Sequence, residues 1–311
     1  MSQFDFDVAV IGGGSGGYAA ARTAAGAGLK TTVIEGGREI GGLCILRGCM
    51  PTKALLYAAE VRHLAGEAAA WGLRAAKLGF DFHDVMARKD RLIKEFADYR
   101  VQQLESGRFD FIRAGARFVD PHTVALDNGR KLTAGHFVIA TGSRVAPSPL
   151  PRLDEIGFLT SDEALALPHL PKSLIILGGG AIACEFAQFF ARFGVKVTLI
   201  QRSEQILREF DADAGAEMAK VFRREGMEVF TGTKLTGAGR QGRFKTIEFE
   251  QGGKTLRVSA QEVLFALGRV PNTAGVPPAS AVKLSATSRA TTRKKTSEPL
   301  TEPSADTAMA G

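Results

Sequence analysis

Phe6-Asp7-Val8-Ala9-Val10-Ile11-Gly12-Gly13-Gly14-Ser15-Gly16-Gly17 is a short β-rich apolar run that passes without a break into a glycine turn. Tyr18 to Ala27 follows as alanine-rich helix, and Lys30 to Glu35 as a second strand ending in an acid. Strand, G-x-G-x-x-G, helix, strand and acid form the dinucleotide-binding pattern in its proper context. Gly12 permits the tight turn, Gly14 lets the backbone approach a pyrophosphate, and Gly17 lets helix and strand pack closely. Ser15 and Gly16 complete the loop, and the helix N-terminus behind them faces the phosphates. Glu35 is placed to accept hydrogen bonds from a ribose.

The pattern occurs twice. Ser173 to Leu177, then Gly178-Gly179-Gly180-Ala181-Ile182-Ala183, a helix to Phe193 and the strand Val195 to Ile200 repeat it, with Ala183 in the third glycine position. The second copy ends in the neutral Gln201 where an acid would repel a ribose 2′-phosphate. The fold class expected is α/β, with two Rossmann-like, three-layer dinucleotide-binding domains, each carrying a β-meander. A proline-spaced linker, Val145 to Arg152, divides them into residues 1–145 and 152–272. Two nucleotide folds imply two nucleotides face to face, with a flavin passing hydride equivalents between a nicotinamide and something else.

A 311-residue chain with 45% hydrophobic residues and 36 glycines is long enough for these two domains. Its net charge of +7 has no basic stripe interleaved with aromatics, and the single Trp71 offers no stacking platform, so no nucleic-acid partner is expected. Phosphate-bearing cofactors or a solvated basic surface account for the charge. Three cysteines are too few for a secreted disulfide scaffold. The N-terminus lacks a basic n-region, and the apolar run from Leu174 to Phe190 contains Glu185 and Gln188. A cytoplasmic protein with no membrane span is therefore expected.

Between the second strand and a meander expected over Phe109 to Ala140 lies Gly41-Gly42-Leu43-Cys44-Ile45-Leu46-Arg47-Gly48-Cys49-Met50-Pro51-Thr52-Lys53. Such a pair suits cycling between dithiol and disulfide, with a lysine and a helix N-terminus available to lower a thiol pKa. Residues five apart in a regular helix are roughly 8–9 Å apart at Cα, whereas a disulfide wants about 4.4–6.8 Å. A bridge therefore requires a distorted first turn, and Gly48 offers the freedom. Met50 to Leu64 reads as helix with a stripe of Leu55, Leu56, Ala59 and Leu64. Glu67 to Asp81 reads as loop. His83 to Glu105 reads as an amphipathic helix whose charges coat a solvated face.

The segment GG-x-C-x3-GC-x-P-[ST]-K resembles the redox-active motif of the class I pyridine nucleotide-disulfide oxidoreductases, the group of glutathione reductase, dihydrolipoamide dehydrogenase and mercuric reductase. The resemblance implies FAD in the first fold and NADPH, with NADH less favoured, in the second. It implies that Cys49 is the flavin-proximal thiol and Cys44 the interchange thiol that attacks a small-molecule disulfide substrate. Gly42, Cys44 and Lys53 would lie at the flavin, and Glu185 would pair with Lys53. Gly115 and Ala116 would lie near the adenine, and Thr141-Gly142 would pass under the FAD. Arg202 and Arg208 have the spacing of two arginines that clamp the 2′-phosphate in NADPH-using glutathione and trypanothione reductases. Gly268-Arg269 and Pro271-Asn272 resemble the element closing the NAD(P) domain. No metal site is implied. Ala181 stands where an aromatic gate is common, and Cys184 reads as a small core residue.

Residues 273–311 are rich in Ala, Ser, Thr, Pro, Lys and Arg and read as a disordered tail, with Ser304-Ala305-Asp306-Thr307 only faintly like the family's FAD-contacting dipeptide. The interface domain through which family members dimerise is expected to be absent, and no histidine follows His169 in this sequence to serve as acid/base. The expectation is an NADPH-dependent disulfide reductase, against a truncated nucleotide-binding remnant without turnover. Glutathione is one candidate substrate, since Ser15 and Arg22, and with less support Tyr99, fall at glutathione-contacting positions. Dihydrolipoamide dehydrogenase-like activity is an alternative, and mercuric reduction is disfavoured because no cysteine follows Cys184.

Overall fold

The computed structural model describes residues 3–74 and 78–273. The tail expected beyond Asn272, including Ser304 to Thr307, lies outside the described residues except for Thr273. The first fold runs β1 (Phe6–Ile11), α1 (Ser15–Gly26), β2 (Thr31–Ile34), α2 (Gly42–Leu46), α3 (Cys49–Gly66), α4 (Phe82–Leu104), β3 (Asp110–Ile112), β4 (Ala116–Asp120), β5 (Thr123–Leu126), β6 (Lys131–Ile139) and β7 (Ser143–Val145). The short helices α5 (Leu153–Ile156) and α6 (Ser161–Ala164) lead into the second. That fold comprises β8 (Ser173–Leu177), α7 (Ala181–Arg192), β9 (Lys196–Ile200), α8 (Ala212–Arg224), β10 (Glu228–Phe230), β11 (Lys234–Gln241), β12 (Phe244–Gln251), β13 (Lys254–Ala260), β14 (Glu262–Phe265) and β15 (Arg269–Pro271).

Each fold is a parallel sheet between helices and an antiparallel meander. The first sheet has the order β3-β2-β1-β6-β5-β4, the first four strands parallel. The second has β10-β9-β8-β14, all parallel, beside the meander β11-β12-β13. The period-2 alternation of a strand sorts side chains to two cores. On β8, Leu174 and Ile176 face the helices with Phe186, Phe189 and Phe190, while Ile175 and Leu177 face the meander with Ile247 and Phe249. On β1, Val8 and Val10 go to the helices and Ala9 to the meander side.

Four local readings need correction. The run at β3 joins the parallel sheet beside β2, so the first meander is β4-β5-β6. Ala68–Trp71 forms a 3₁₀ turn inside the expected loop. Leu64 is exposed, whereas Leu55 and Ala59 are buried against α7 of the second fold. On α4, Lys89 is buried: its ammonium donates to the Leu165 carbonyl at 2.5 Å and pairs with Asp90. Among the described residues no helix is long and apolar enough to cross a membrane.

The redox-segment helix α3 is clamped to the second fold. Arg192, near the end of α7, pairs with Glu60 of α3 and with Glu225 beyond α8, the latter at 2.9 Å. Arg62 of α3 donates to the Arg192 carbonyl.

Candidate active site

The two glycine loops repeat one steric device. Gly12 and Gly178 both have positive φ, and a Cβ on either would stand 2.3 or 2.4 Å from the carbonyl oxygen of Ala140 or Ala266. Only glycine fits such a position. At the third glycine of the fingerprint the copies diverge. A Cβ on Gly17 would meet the Gly12 carbonyl oxygen at 1.8 Å, whereas Ala183 is accommodated fully buried.

A cleft of about 1790 Å³ opens over the strand ends of the first fold. It exceeds the roughly 300–1,000 Å³ of ordinary small-molecule sites, as an elongated dinucleotide requires. Gly12, Gly14, Ser15 and Gly16 line it with Glu35, Gly42, Gly115 and Ala116, and so do Thr141 and Gly142. Gly17 lies behind the loop, packed on Gly12. Gly14 and Gly42 meet so closely that a Cβ on Gly42 would lie 2.5 Å from the Gly14 Cα. The start of α1 therefore faces the cleft bare of side chains, a setting that favours a phosphate. Glu35 already accepts from the Gly13 N–H at 2.7 Å and the Gly37 N–H at 2.6 Å. It braces the loop and has lone pairs left for a ribose hydroxyl. Asp127 accepts the Gly115 N–H at 2.8 Å and fixes the opposite rim. These residues fit FAD.

Cys44 and Cys49 line the same cleft. The helix that would have carried both is broken: α2 ends at Leu46 and α3 starts at Cys49, with Arg47 and Gly48 between. A Cβ at Gly48 would lie 2.9 Å from the Leu43 carbonyl oxygen, so glycine is what permits the break. Both cysteines carry free thiols. The Cys49 pKa is raised, first by its hydrogen bond to Cys44, then by burial and by the Cys44 charge. The lowering expected from Lys53 and the helix N-terminus does not prevail there, and Lys53 is paired elsewhere. Its ammonium forms an ion pair with Glu185 of α7, across the two folds. Ala181 and Ile182, which open α7, also line the cleft. Cys184 is buried, its pKa pushed up to about 12 by desolvation.

The remaining site residues lie around the second glycine loop, away from this cleft. Gly178, Gly179 and Gly180 form the turn between β8 and α7, and Ala183 packs beneath it. The segment after β9 folds back onto the turn: Leu207, at φ 52°, donates its N–H to the Gly179 carbonyl at 2.6 Å. Ile206 and Gln201 side chains would stand 3.0 Å from a Cβ on Gly179. Arg202 and Arg208 flank this contact and are exposed; Arg208 touches Glu209 at 3.3 Å. Among the described residues no ion pair joins Glu204 to either arginine.

Arg144, Arg269 and Asn272 also line the first cleft, although sequence reasoning gave them no site role. For Arg269 and Asn272 the signal was the quoted G-R-x-P-N run; Arg144 directly follows the quoted Thr141-Gly142 and Ser143. Gly268, at φ 134°, turns the chain into β15, which pairs with β7, and Arg269 donates to the Ser143 hydroxyl at 2.9 Å.

The family profile described as pyridine nucleotide-disulphide oxidoreductase matches residues 6–297. The dihydrolipoyl dehydrogenase of Bacillus subtilis is 35% identical over 88% of this chain and 60% of its own length. The mercuric reductase of Bacillus cereus is 34% identical over 86% of this chain and 42% of its own. The structure of the HOCl-induced flavoprotein disulfide reductase RclA from Escherichia coli superposes with a TM-score of 0.72 at 27% identity, over 88% of this chain and 59% of that one. The chain thus spans about half the length of the relatives it matches.

Proposed function

The chain belongs to the pyridine nucleotide-disulphide oxidoreductase family, and we propose that it is an FAD-dependent NADPH:disulfide reductase working through Cys44 and Cys49. The observation that carries this reading is one cleft lined by the first glycine loop, both thiols, the Lys53–Glu185 pair and the start of α7. When bound, FAD supplies two-electron transfer between a nicotinamide and the thiol pair. This chain's residues do the rest. Cys44, as thiolate, attacks one sulfur of the substrate disulfide, forming a mixed disulfide and releasing one thiolate. Cys49 then gives its proton to the first released thiolate, attacks the Cys44 sulfur as thiolate, closes the Cys44–Cys49 disulfide and releases the second. Two electrons leave the cysteine pair, and the two released thiolates take up two protons. The Cys49 S–H beside Cys44 stabilises the attacking thiolate until that second step. Lys53 places a positive charge on the wall of the cleft, and Glu185 orients it.

NADPH is the nicotinamide coenzyme in this reading because Gln201 is neutral and Arg202 and Arg208 flank the second glycine loop, Arg202 without an ion-pair partner among the described residues and Arg208 paired only with the exposed Glu209. Arginine–phosphate bonds are about twice as strong as neutral ones.

The test oxidises the full chain, supplies FAD and one equivalent of NADPH or NADH, and titrates thiols under nitrogen. NADPH should release two thiols, Cys44 and Cys49, faster than NADH does, with none from the disulfide in Cys49→Ser. No NADPH-dependent thiol release would overturn the reading.

A further inference from the structure

Among the described residues, Arg152 at φ 65° and Leu207 at φ 52° are the two non-glycines with positive φ. Arg152 is exposed and directly precedes α5. Leu207 lies instead against the second glycine loop. A left-handed leucine is uncommon because its Cβ crowds the following carbonyl, and such a backbone persists only where its surroundings fix it.

The surroundings here are specific. The Leu207 N–H donates to the Gly179 carbonyl at 2.6 Å, and the Leu207 carbonyl accepts from the Phe210 N–H at 2.8 Å. The second bond closes a turn with Arg208 and Glu209 at its corner. Just before it Ile206 is fully buried, and its carbonyl oxygen would stand 2.5 Å from a Cβ on Gly215 of α8. The segment is thus tied both to α8 and to the glycine loop. Arg202 is mounted differently. It follows Gln201, whose N–H donates to the Phe230 carbonyl at 2.8 Å and whose carbonyl accepts from the Thr233 hydroxyl at 3.0 Å. One arginine hangs from the end of β9, the other from the glycine loop through Leu207.

We propose that Leu207 is a positioning residue for nucleotide choice: its left-handed backbone sets the turn that presents Arg208 beside the second glycine loop, where it meets a ribose 2′-phosphate. The inference rests on the NADPH reading. The backbone acts here, not the leucine side chain. If φ reverts to a negative value, the N–H and carbonyl of Leu207 no longer reach Gly179 and Phe210 together. Arg208 then leaves the loop, while Arg202 keeps its own mounting.

Calorimetry of the full chain with 2′,5′-ADP and 5′-AMP reads this without turnover. The preference for 2′,5′-ADP should fall on the order of tenfold in Leu207→Val, because a β-branched residue resists the left-handed region. It should stay within about twofold of wild type in Leu207→Gly, which enters that region freely. In Leu207→Val, adding Arg208→Ala should change the preference little, whereas adding Arg202→Ala should lower it further. A packing role for the side chain gives the reverse order, with valine tolerated and glycine not, and that order overturns the proposal. If Leu207→Val does not fold, Leu207→Ala against Leu207→Gly carries the same comparison, since both lack the side chain and only glycine is free to be left-handed. Equal preferences in that pair overturn the proposal as well. Failure of the NADPH reading looks different: wild type itself would bind the two nucleotides equally, and the inference would fall with it.

Discussion

Replacing Arg192 with Met should destabilise the protein by about 3–5 kcal/mol, the cost of breaking a buried ion pair from one side. The magnitude follows from the surroundings. Arg192 and Glu225 have side chains 11% and 13% exposed and share two contacts, at 2.9 and 3.3 Å. Without the guanidinium, Glu225 keeps only Gln188 Nε2 at 3.2 Å as a side-chain donor and is left as a buried charge. Glu60 is 45% exposed and is solvated easily when released, so its share is about 0–1 kcal/mol. Glu60→Gln should accordingly cost no more than about 1 kcal/mol. Removing both buried charges in Arg192→Met/Glu225→Met should recover at least about 2 kcal/mol relative to Arg192→Met, because the stranded carboxylate is gone. Urea unfolding followed by far-ultraviolet circular dichroism measures all of these. The reasoning fails if Arg192→Met costs less than about 1 kcal/mol, or if the double variant is no more stable than the single. Because Glu60 lies on α3, two turns beyond Lys53, the same variants should loosen the start of α3 at the thiols.

Two further predictions follow from separate parts of the molecule. 2′,5′-ADP should bind more tightly than 5′-AMP in calorimetry, and Arg202→Ala or Arg208→Ala should each remove on the order of 1.5–3 kcal/mol of that preference; equal affinities would remove the basis for NADPH. The Cys184 thiol titrates near 12 in the fold against 9.0 when free, so its contribution to stability is intact below pH 9 and is lost as pH climbs toward 12. At pH 10 the loss is about 1.4 kcal/mol, one pKa unit's worth, and Cys184→Ala, compared with wild type at pH 8 and 10, should lack it.

Both nucleotide folds were legible because their determinants are local. A glycine with positive φ against a strand-end carbonyl leaves a fixed spacing, and that spacing recurs around Gly12 and Gly178. The break between the cysteines was legible for the same reason: a regular helix cannot bring residues five apart together, and Gly48 stood between them. Contacts that join distant segments were less so. Lys53 and Glu185 are 132 residues apart, and only resemblance to a known motif linked them. Lys89 reads as one more charge on an amphipathic helix, yet a carbonyl at the end of α6 captures it. Leu55 and Ala59 are recognisably apolar, but nothing local says that they bury against the second fold.

The pairing of β7 with β15 has a mechanical consequence. Val145 and Arg269 are register partners, so the polypeptide enters and leaves the second fold side by side, like a loop of rope through one knot. Beside this ribbon, α3 and α7 share an apolar contact through Leu55 and Ala59. The Lys53–Glu185 and Arg192–Glu60 pairs bridge the same two helices, so parting the folds there would uncover apolar and charged groups together.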